Sequence, residues 1–456
     1  MAIVERWIFY LLVLLLPVQL GKHFWPSYSS VSGIRIDYLS PTIYLTDILL
    51  VLLFGCYAYR IFKTIKEANS NDRRSKPSIR QTQDSGLTEG QSKRKIYFIS
   101  SLVVLFIVVN VLTSSRPLLS LYGAAKLGEF AFLAFYVTKT FRSTFQVQII
   151  TILFATSSIF ESMLAMLQYI NQGSLNGMFY YFGERTFTSM TPGIANASIG
   201  GALILRPYGT FPHPNVLAGY LLIGMVLVWG FLFKNTKQWM QVIGAVSLLI
   251  GSIALLLTFS RVAILLWILL LLTILVKYLL VSVKTSRSKI IAIAITIVCV
   301  VFIRMTPVVH DVVIRFATTS LSDESVTERT ELLSTAFTII KQHPLLGVGL
   351  YNFIPAMAPL QKPLPLGLYL QPVHNIFMLV MAETGLIGLG LFIWMLVITI
   401  KRIASCELRM KRTFMVLMAI ILLTGMFDHY WMTLQQGQLL FAVVLGLGWM
   451  RLKKIS

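Results

Sequence analysis

The sequence predicts an all-α, polytopic membrane protein of about twelve transmembrane helices. Three observations carry that reading. The 456-residue chain is 56% hydrophobic and 12% charged, about half the charged share of a soluble domain. Apolar runs near the bilayer-crossing length recur from end to end, and helices satisfy their own polar groups where water is absent. The basic residues also gather on alternate connections between these runs, the charge asymmetry that orients membrane proteins.

Length and hydropathy place the spans at 4–20, 42–62, 96–113, 118–138, 146–169, 213–233, 239–257, 261–283, 289–305, 374–400, 411–429 and 434–451. The first run has a thin basic start, Arg6 alone, and no small-residue cleavage site before Lys22, so a retained helix is expected rather than a signal peptide. With both termini in the cytoplasm, the even-numbered connections are internal and hold most of the 39 Lys and Arg. The formal net charge of +21 is then topology, and a nucleic-acid partner is excluded. The cysteines, Cys56, Cys299 and Cys406, sit in two spans and one internal loop, so no disulfide framework is expected.

Five regions follow: N-terminal helices over 1–66, a linker at 67–95, a transmembrane core over 96–305, an external loop over 306–373, and C-terminal helices over 374–456. The linker is rich in Ser, Gln, Lys and Arg and poor in apolar residues, a disordered cytoplasmic composition. Residues 170–212 are glycine-rich and poor in charge, which suggests surface loop or re-entrant backbone. In the large external loop, Ser325-Val-Thr-Glu328 reads as a capping box. Leu332, Leu333, Ala336, Ile339 and Ile340 give one apolar face, so an amphipathic helix is expected over 325–342, ending at His343-Pro344.

The chemistry-bearing residues fall on the outer face. Arg206-Pro-Tyr-Gly-Thr-Phe-Pro-His213 opens directly into a long apolar run, placing a cationic, conformationally restricted loop at a helix mouth. Arg261, in Thr258-Phe-Ser-Arg261, sits between apolar runs. An arginine there is costly unless it snorkels to lipid phosphate or meets an anionic ligand, for which its planar fork is suited. His374 opens the tenth span, with ten residues between it and Gly385. An imidazole in that position has the intrinsic pKa, near 6.5, of a general base. His213, His343, Glu383 and Asn375 are secondary candidates, and His213 between two prolines reads as structural. Asp428-His429-Tyr430-Trp431 reads as an interfacial belt. Of the ionisable residues inside spans, Lys126 and Glu129 are spaced to pair on one helix face, with Asp47 and Glu161 elsewhere. The six histidines stand singly in sequence, without metal-ligand spacing, so no metal is expected.

These fragments resemble the O-antigen ligase and polymerase superfamily of bacterial lipid-linked glycan transferases. The resemblance rests on Gly-Thr-Phe-Pro-His-Pro-Asn-Val-Leu-Ala-Gly at 209–219, Thr-Phe-Ser-Arg at 258–261 and Glu-Arg-Thr at 328–330. It continues in His-Pro-Leu-Leu-Gly-Val-Gly-Leu-Tyr-Asn-Phe at 343–353, and in His-Asn-Ile-Phe with Glu-Thr-Gly-Leu-Ile-Gly over 374–388. It implies a GT-C-like fold, a large periplasmic loop between spans 9 and 10, and a site facing outward from the bacterial inner membrane. It further implies metal-independent, inverting transfer from an undecaprenyl-diphosphate-linked glycan to a glycan or lipid acceptor, without a cofactor. By motif, Arg206, Arg261 and Arg329 match diphosphate-binding cations and His374 the catalytic base. The ligases, polymerases and protein O-oligosaccharyltransferases of the superfamily share these motifs. A transporter or flippase of an anionic lipid-linked sugar is the alternative from another class.

Overall fold

The computed structural model describes residues 2–72, 85–199, 202–233, 236–280, 324–361 and 369–451. The ninth expected span, 289–305, lies outside them, as do Cys299 and His310. Among the described residues the protein is mostly helical, and its strands form three short antiparallel pairs. The helices are α1 (Ala2–Leu14), α2 (Leu45–Asp72), α3 (Ser85–Thr113), α4 (Pro117–Thr140), α5 (Thr144–Asn171), α6 (Pro214–Phe231) and α7 (Gln238–Leu257). They continue as α8 (Arg261–Leu280), α9 (Glu324–Gln342), α10 (Phe353–Met357), α11 (Ile376–Ala404), α12 (Leu408–Gly425), α13 (Tyr430–Thr433) and α14 (Gln435–Trp449).

Six of these, α2, α4, α5, α6, α7 and α11, are long and apolar enough to cross a membrane. Helix α1 is shorter than the expected 4–20 span. Its 13 residues rise about 20 Å, against a hydrocarbon core of about 30 Å, and Pro17 follows without the N–H a further turn needs. Helix α6 is the axis of the bundle, packed by α5, α7 and α12; 83% of its apolar window is buried, against 17% for α2. The outer surface of α2 carries exposed Val51, Leu52, Phe54 and Phe62, a face suited to lipid rather than water.

The polar segment 67–95 departs from the expected disorder at its two ends. Helix α2 continues to Asp72 and α3 begins at Ser85. Lys63 and Glu67 pair one turn apart at 3.7 Å in the extension of α2, the side-chain spacing that supports a solvated helix. The 170–212 connection holds a 3-10 turn at Gly177–Phe182 and a hairpin of β1 (Asn196–Ile199) with β2 (Ala202–Leu205), in register Asn196 with Leu205.

Helix α9 starts one residue before its expected position. It buries Leu332, Ala336, Ile339 and Ile340 in a second core with Phe353, Ile354, Val373 and Leu379. Leu333 differs from the expected face: it is 37% exposed, because it lies just beyond the stripe that α11 covers.

Helix α11 is broken at Gly385, whose φ is +66°. The chain after α9 lies in the break. Val348 N–H donates to the Ala382 carbonyl at 3.0 Å and Gly349 N–H to Glu383 at 2.9 Å, while Leu386 N–H reaches Pro344 at 2.8 Å. Asn110 closes the joint from α3: its Nδ2 donates to the Leu346 and Glu383 carbonyls at 2.8 and 3.1 Å, and its Oδ1 accepts from Leu350 N–H at 3.0 Å. The Ala382 and Glu383 carbonyls and the Leu386 and Ile387 N–H groups thus find partners across the break, as a site without water requires. A Cβ at residue 385 would collide with the Leu345 carbonyl, whereas Gly390 has open space around it. Gly385→Ala is therefore expected to lower the melting temperature of the detergent-solubilised protein by the equivalent of about 1–3 kcal/mol. Gly390→Ala is expected to leave it unchanged in the same thermal-unfolding measurement.

Candidate active site

The site begins with the loop Arg206–His213, which two side chains of α5 hold. Glu161 accepts the Thr210 N–H at 2.9 Å and the Thr210 hydroxyl at 2.8 Å. Gln168 Oε1 accepts the N–H groups of Tyr208 and Gly209 at 3.0 and 2.8 Å, and its Nε2 donates back to the Gly209 carbonyl at 2.9 Å. Gly209 adopts φ +60°, and a Cβ there would run into the Glu161 carboxylate. The loop ends at His213, which caps α6: its Nδ1 accepts the Asn215 N–H at 3.1 Å.

Held in this way, Arg206 reaches two neighbours. Its Nε donates to the Thr258 carbonyl at 2.7 Å, and its Nη2 to Asn215 Oδ1 at 2.8 Å. Thr258 opens the tight turn between α7 and α8, where Phe259 takes φ +50°, a conformation that a bulky L-residue holds only under surrounding constraint. Arg261 begins α8 directly after that turn. Arg206 is thus bonded to the turn that carries Arg261.

Asn215 extends the chain of contacts: its Nδ2 donates to Asp428 Oδ2 at 2.9 Å. The other Asp428 oxygen accepts the His429 N–H at 2.8 Å. His374 meets His429 edge to face, with ring centroids 5.0 Å apart. Asn375 makes that meeting possible. Its Oδ1 caps α11 through the N–H groups of Phe377 and Met378, and its Nδ2 donates to the Met426 carbonyl at 3.1 Å, tying the start of α11 to the end of α12. His429 Nδ1 shares a hydrogen bond with Thr433 Oγ1 at 2.7 Å, whereas His374 Nδ1 is buried without a partner among the described residues.

The electrostatics set the protonation states. Burial lowers the His213 and His429 imidazoles to about 3, and neighbouring cations and imidazoles push the same way. Burial also lowers His374, opposed by Asp428 and reinforced by Arg329. For Asp428, burial alone would raise the carboxyl, but His429, His374, His213 and the Asn215 hydrogen bond outweigh it and bring it to about 2. At neutral pH the centre therefore holds three neutral imidazoles around one carboxylate. Arg329, near the start of α9, is close enough to act on all three imidazoles. Gln371 bonds to Glu328 beside it, joining α9 to the segment that leads into His374.

Two sequence expectations are corrected here. The imidazoles are not scattered: the fold gathers His213, His374 and His429 around Asp428. Ligand atoms of His374, Asp428 and His429 lie within 4.8 Å of one another, a three-ligand set that a metal ion could draw together. Asp428-His429 is also more than an interfacial belt, because Asn215 connects its carboxylate to Arg206. Sequence reasoning passed over Asn215 as well, although it stands inside the 209–219 motif. The signal available was an Asp-His pair closing a span at the same face as His374. Two secondary candidates stay apart from the cluster. His343 is exposed at the end of α9, and Glu383 accepts the Phe353 N–H at 3.4 Å, fastening α10 to α11.

Residues 246–393 match the family model described as O-antigen ligase. Over this stretch the chain is similar to the O-antigen ligase family. The ligase-family region runs from within α7 to within α11 and contains Arg261, Arg329, His374 and Gly385. Arg206, Asn215 and the Asp428–His429 pair lie outside it and reach it through the contacts above. No curated protein matches the chain. That similarity and the six long apolar helices together point to a membrane protein related to glycosyl-transfer enzymes.

Asp428 is the group that favours the His374 imidazolium, so its removal has a definite sign. Asp428→Asn is expected to move the His374 titration further below 6.5, read from 15N-histidine spectra of the detergent-solubilised protein. An upward move would show that Asp428 does not face His374 as described.

Proposed function

We propose that the chain transfers a glycan from undecaprenyl diphosphate to an acceptor hydroxyl at the outer face of the bacterial inner membrane, as an O-antigen-type ligase or polymerase. The observation that carries this reading is the continuous path from the arginine loop to the imidazole pair, Arg206 to Asn215 to Asp428 to His429 beside His374. Phosphate-binding cations and a neutral base are the two requirements of the reaction, and the path joins them.

In the proposed step the acceptor oxygen attacks the anomeric carbon while the bond from that carbon to the diphosphate oxygen breaks. The leaving electron pair goes to the diphosphate, whose growing charge Arg206, Arg261 and Arg329 stabilise. The acceptor proton passes to His374, which is neutral and therefore able to take it. Attack opposite the leaving group inverts the anomeric centre. Asp428 stabilises the resulting imidazolium, and Asn375 fixes its approach.

The proposed topology has about twelve spans, both termini in the cytoplasm, residues 67–95 as a basic internal connection and 306–373 as the periplasmic loop. A protein O-oligosaccharyltransferase differs from this reading only in its acceptor. A transporter would place unsatisfied ionisable groups at mid-bilayer. The intramembrane Lys126 instead meets Asp47 at 2.6 Å and Glu129 at 3.1 Å, a self-satisfied cluster that favours the transferase.

His374→Ala and Arg261→Ala are each expected to reduce transfer by about 10²–10⁴-fold with normal membrane levels, measured as glycan moved from lipid-linked donor in membrane vesicles. Full activity in both variants would sink the assignment. EDTA is expected to leave the rate unchanged; loss restored by Zn²⁺ would instead make His374, Asp428 and His429 a metal centre. The pH–rate profile is expected to fall on its acid limb with a midpoint below 6.5, because a buried imidazole stays unprotonated, and able to accept a proton, to lower pH.

A further inference from the structure

A cavity of about 270 Å3 lies beside His429, separated from it by Tyr38 and Thr433 of its wall. Arg206 does not line it. The cavity reaches His429 by two other routes: Thr433, whose hydroxyl shares the His429 Nδ1 hydrogen bond, and Tyr38, whose ring stands edge-on to His429 at 5.5 Å. His429, which meets His374 edge to face, is therefore linked to Arg206 through Asp428 and Asn215 and to the cavity wall through Thr433 and Tyr38.

The lining is neither an apolar pocket nor a cation trap. Tyrosine rings form much of it, and Tyr122 and Tyr351 meet edge to face with centroids 5.7 Å apart. Asp37, Arg185 and Gln438 supply an acceptor, a donor fork and an amide among them. Gln19, also in the wall, has a buried Oε1 with no partner among the described residues. Tyr351 is held at φ +61°, a left-handed conformation rare for an aromatic residue, and Gln438 Nε2 donates to its hydroxyl at 3.3 Å.

Flat aromatic faces interleaved with hydrogen-bonding groups of both kinds match the surface of a sugar ring, which offers C–H faces and a rim of hydroxyls. The volume lies just under the range of about 300–1,000 Å3 for small-molecule sites, suiting one sugar residue rather than a chain. We propose that this cavity is the acceptor subsite, holding the terminal sugar of the acceptor with its attacking hydroxyl turned toward the His374–His429 pair. The inference rests on the glycan-transfer reading and adds to it the place of the second substrate. Its recognition would be by hydroxyl hydrogen bonding, which discriminates strongly against analogues lacking the matched group.

The test uses the full-length protein in nanodiscs, with the lipid-linked donor and the acceptor glycolipid extracted from host cells lacking the gene. Gln438→Ala removes a hydrogen-bonding amide from the wall, and Asp37→Trp fills the cavity from an exposed position without removing a buried group. Both are expected to raise the acceptor KM by about threefold to tenfold, the effect of one lost hydrogen bond, with donor KM unchanged. Asp37→Trp is expected to keep the melting temperature, whereas Gln438→Ala, which also loses its bonds to Tyr351 and Met432, is expected to lower it slightly. Unchanged acceptor KM in both variants, or equal rises in both KM values, overturns the subsite. Absence of transfer by the unmodified protein would instead overturn the glycan-transfer reading itself, and the subsite with it.

Discussion

Where no water reaches, each backbone N–H and C=O must find a partner inside the protein, and that requirement governs every irregular feature described here. The helices meet it by themselves. Among the described residues, three of the departures from helix each have a polar clasp. Asn110 serves the break in α11, and Glu161 with Gln168 serves the 208–210 turn. The third clasp, Asp47, accepts the Tyr44 N–H at 2.9 Å at the head of α2 while holding Lys126. Polar side chains inside the bundle thus act first as substitutes for water.

The clasps also position the chemistry. With Glu161 and Gln168 holding the loop after β2, Arg206 extends to both the 258–261 turn and Asn215. Once Asn375 ties α11 to α12, His374 is brought against His429. A guanidinium or an imidazole on an unsupported loop would lose rotamer freedom on meeting its ligand; here that ordering is completed by folding. The strained Phe259 and Tyr351 fit the same pattern, since backbone in a sparsely populated region persists only where its surroundings impose it.

The charge arrangement follows from burial. Three imidazoles close together cannot all be protonated in a poorly solvated site, so they stay neutral and leave Asp428 as the negative charge among them. Such a centre can accept a proton and stabilise the product without a further acid. The proposed division of labour gives the cations to the departing diphosphate and the imidazoles to the acceptor proton. The ligase-family stretch contributes Arg261, Arg329 and His374, while the segments around it contribute Arg206, Asn215 and Asp428.

Much of this was legible in the sequence because it depends on local chemistry. Apolar runs announce helices that solve their own hydrogen bonding, and the stripe from Leu332 to Ile340 announces α9 almost to the residue. His374 and Gly385, and the Thr-Phe-Ser-Arg turn, are recognisable by residue type and spacing. What escaped the sequence was pairing over long separations. Lys126 pairs with its neighbour Glu129 as its spacing suggests, yet its shorter contact is to Asp47, and Gln435 from the far end of the chain joins that carboxylate. His213, His374 and His429 stand far apart in the chain, and nothing in their spacing indicates one centre. The sequence by itself determined the membrane-helical class and which residue types stand at the helix mouths, since both follow from hydropathy and backbone propensity. Only the tertiary structure decided which of those mouths meet, because that depends on how the helices pack and on which buried polar group each has to satisfy.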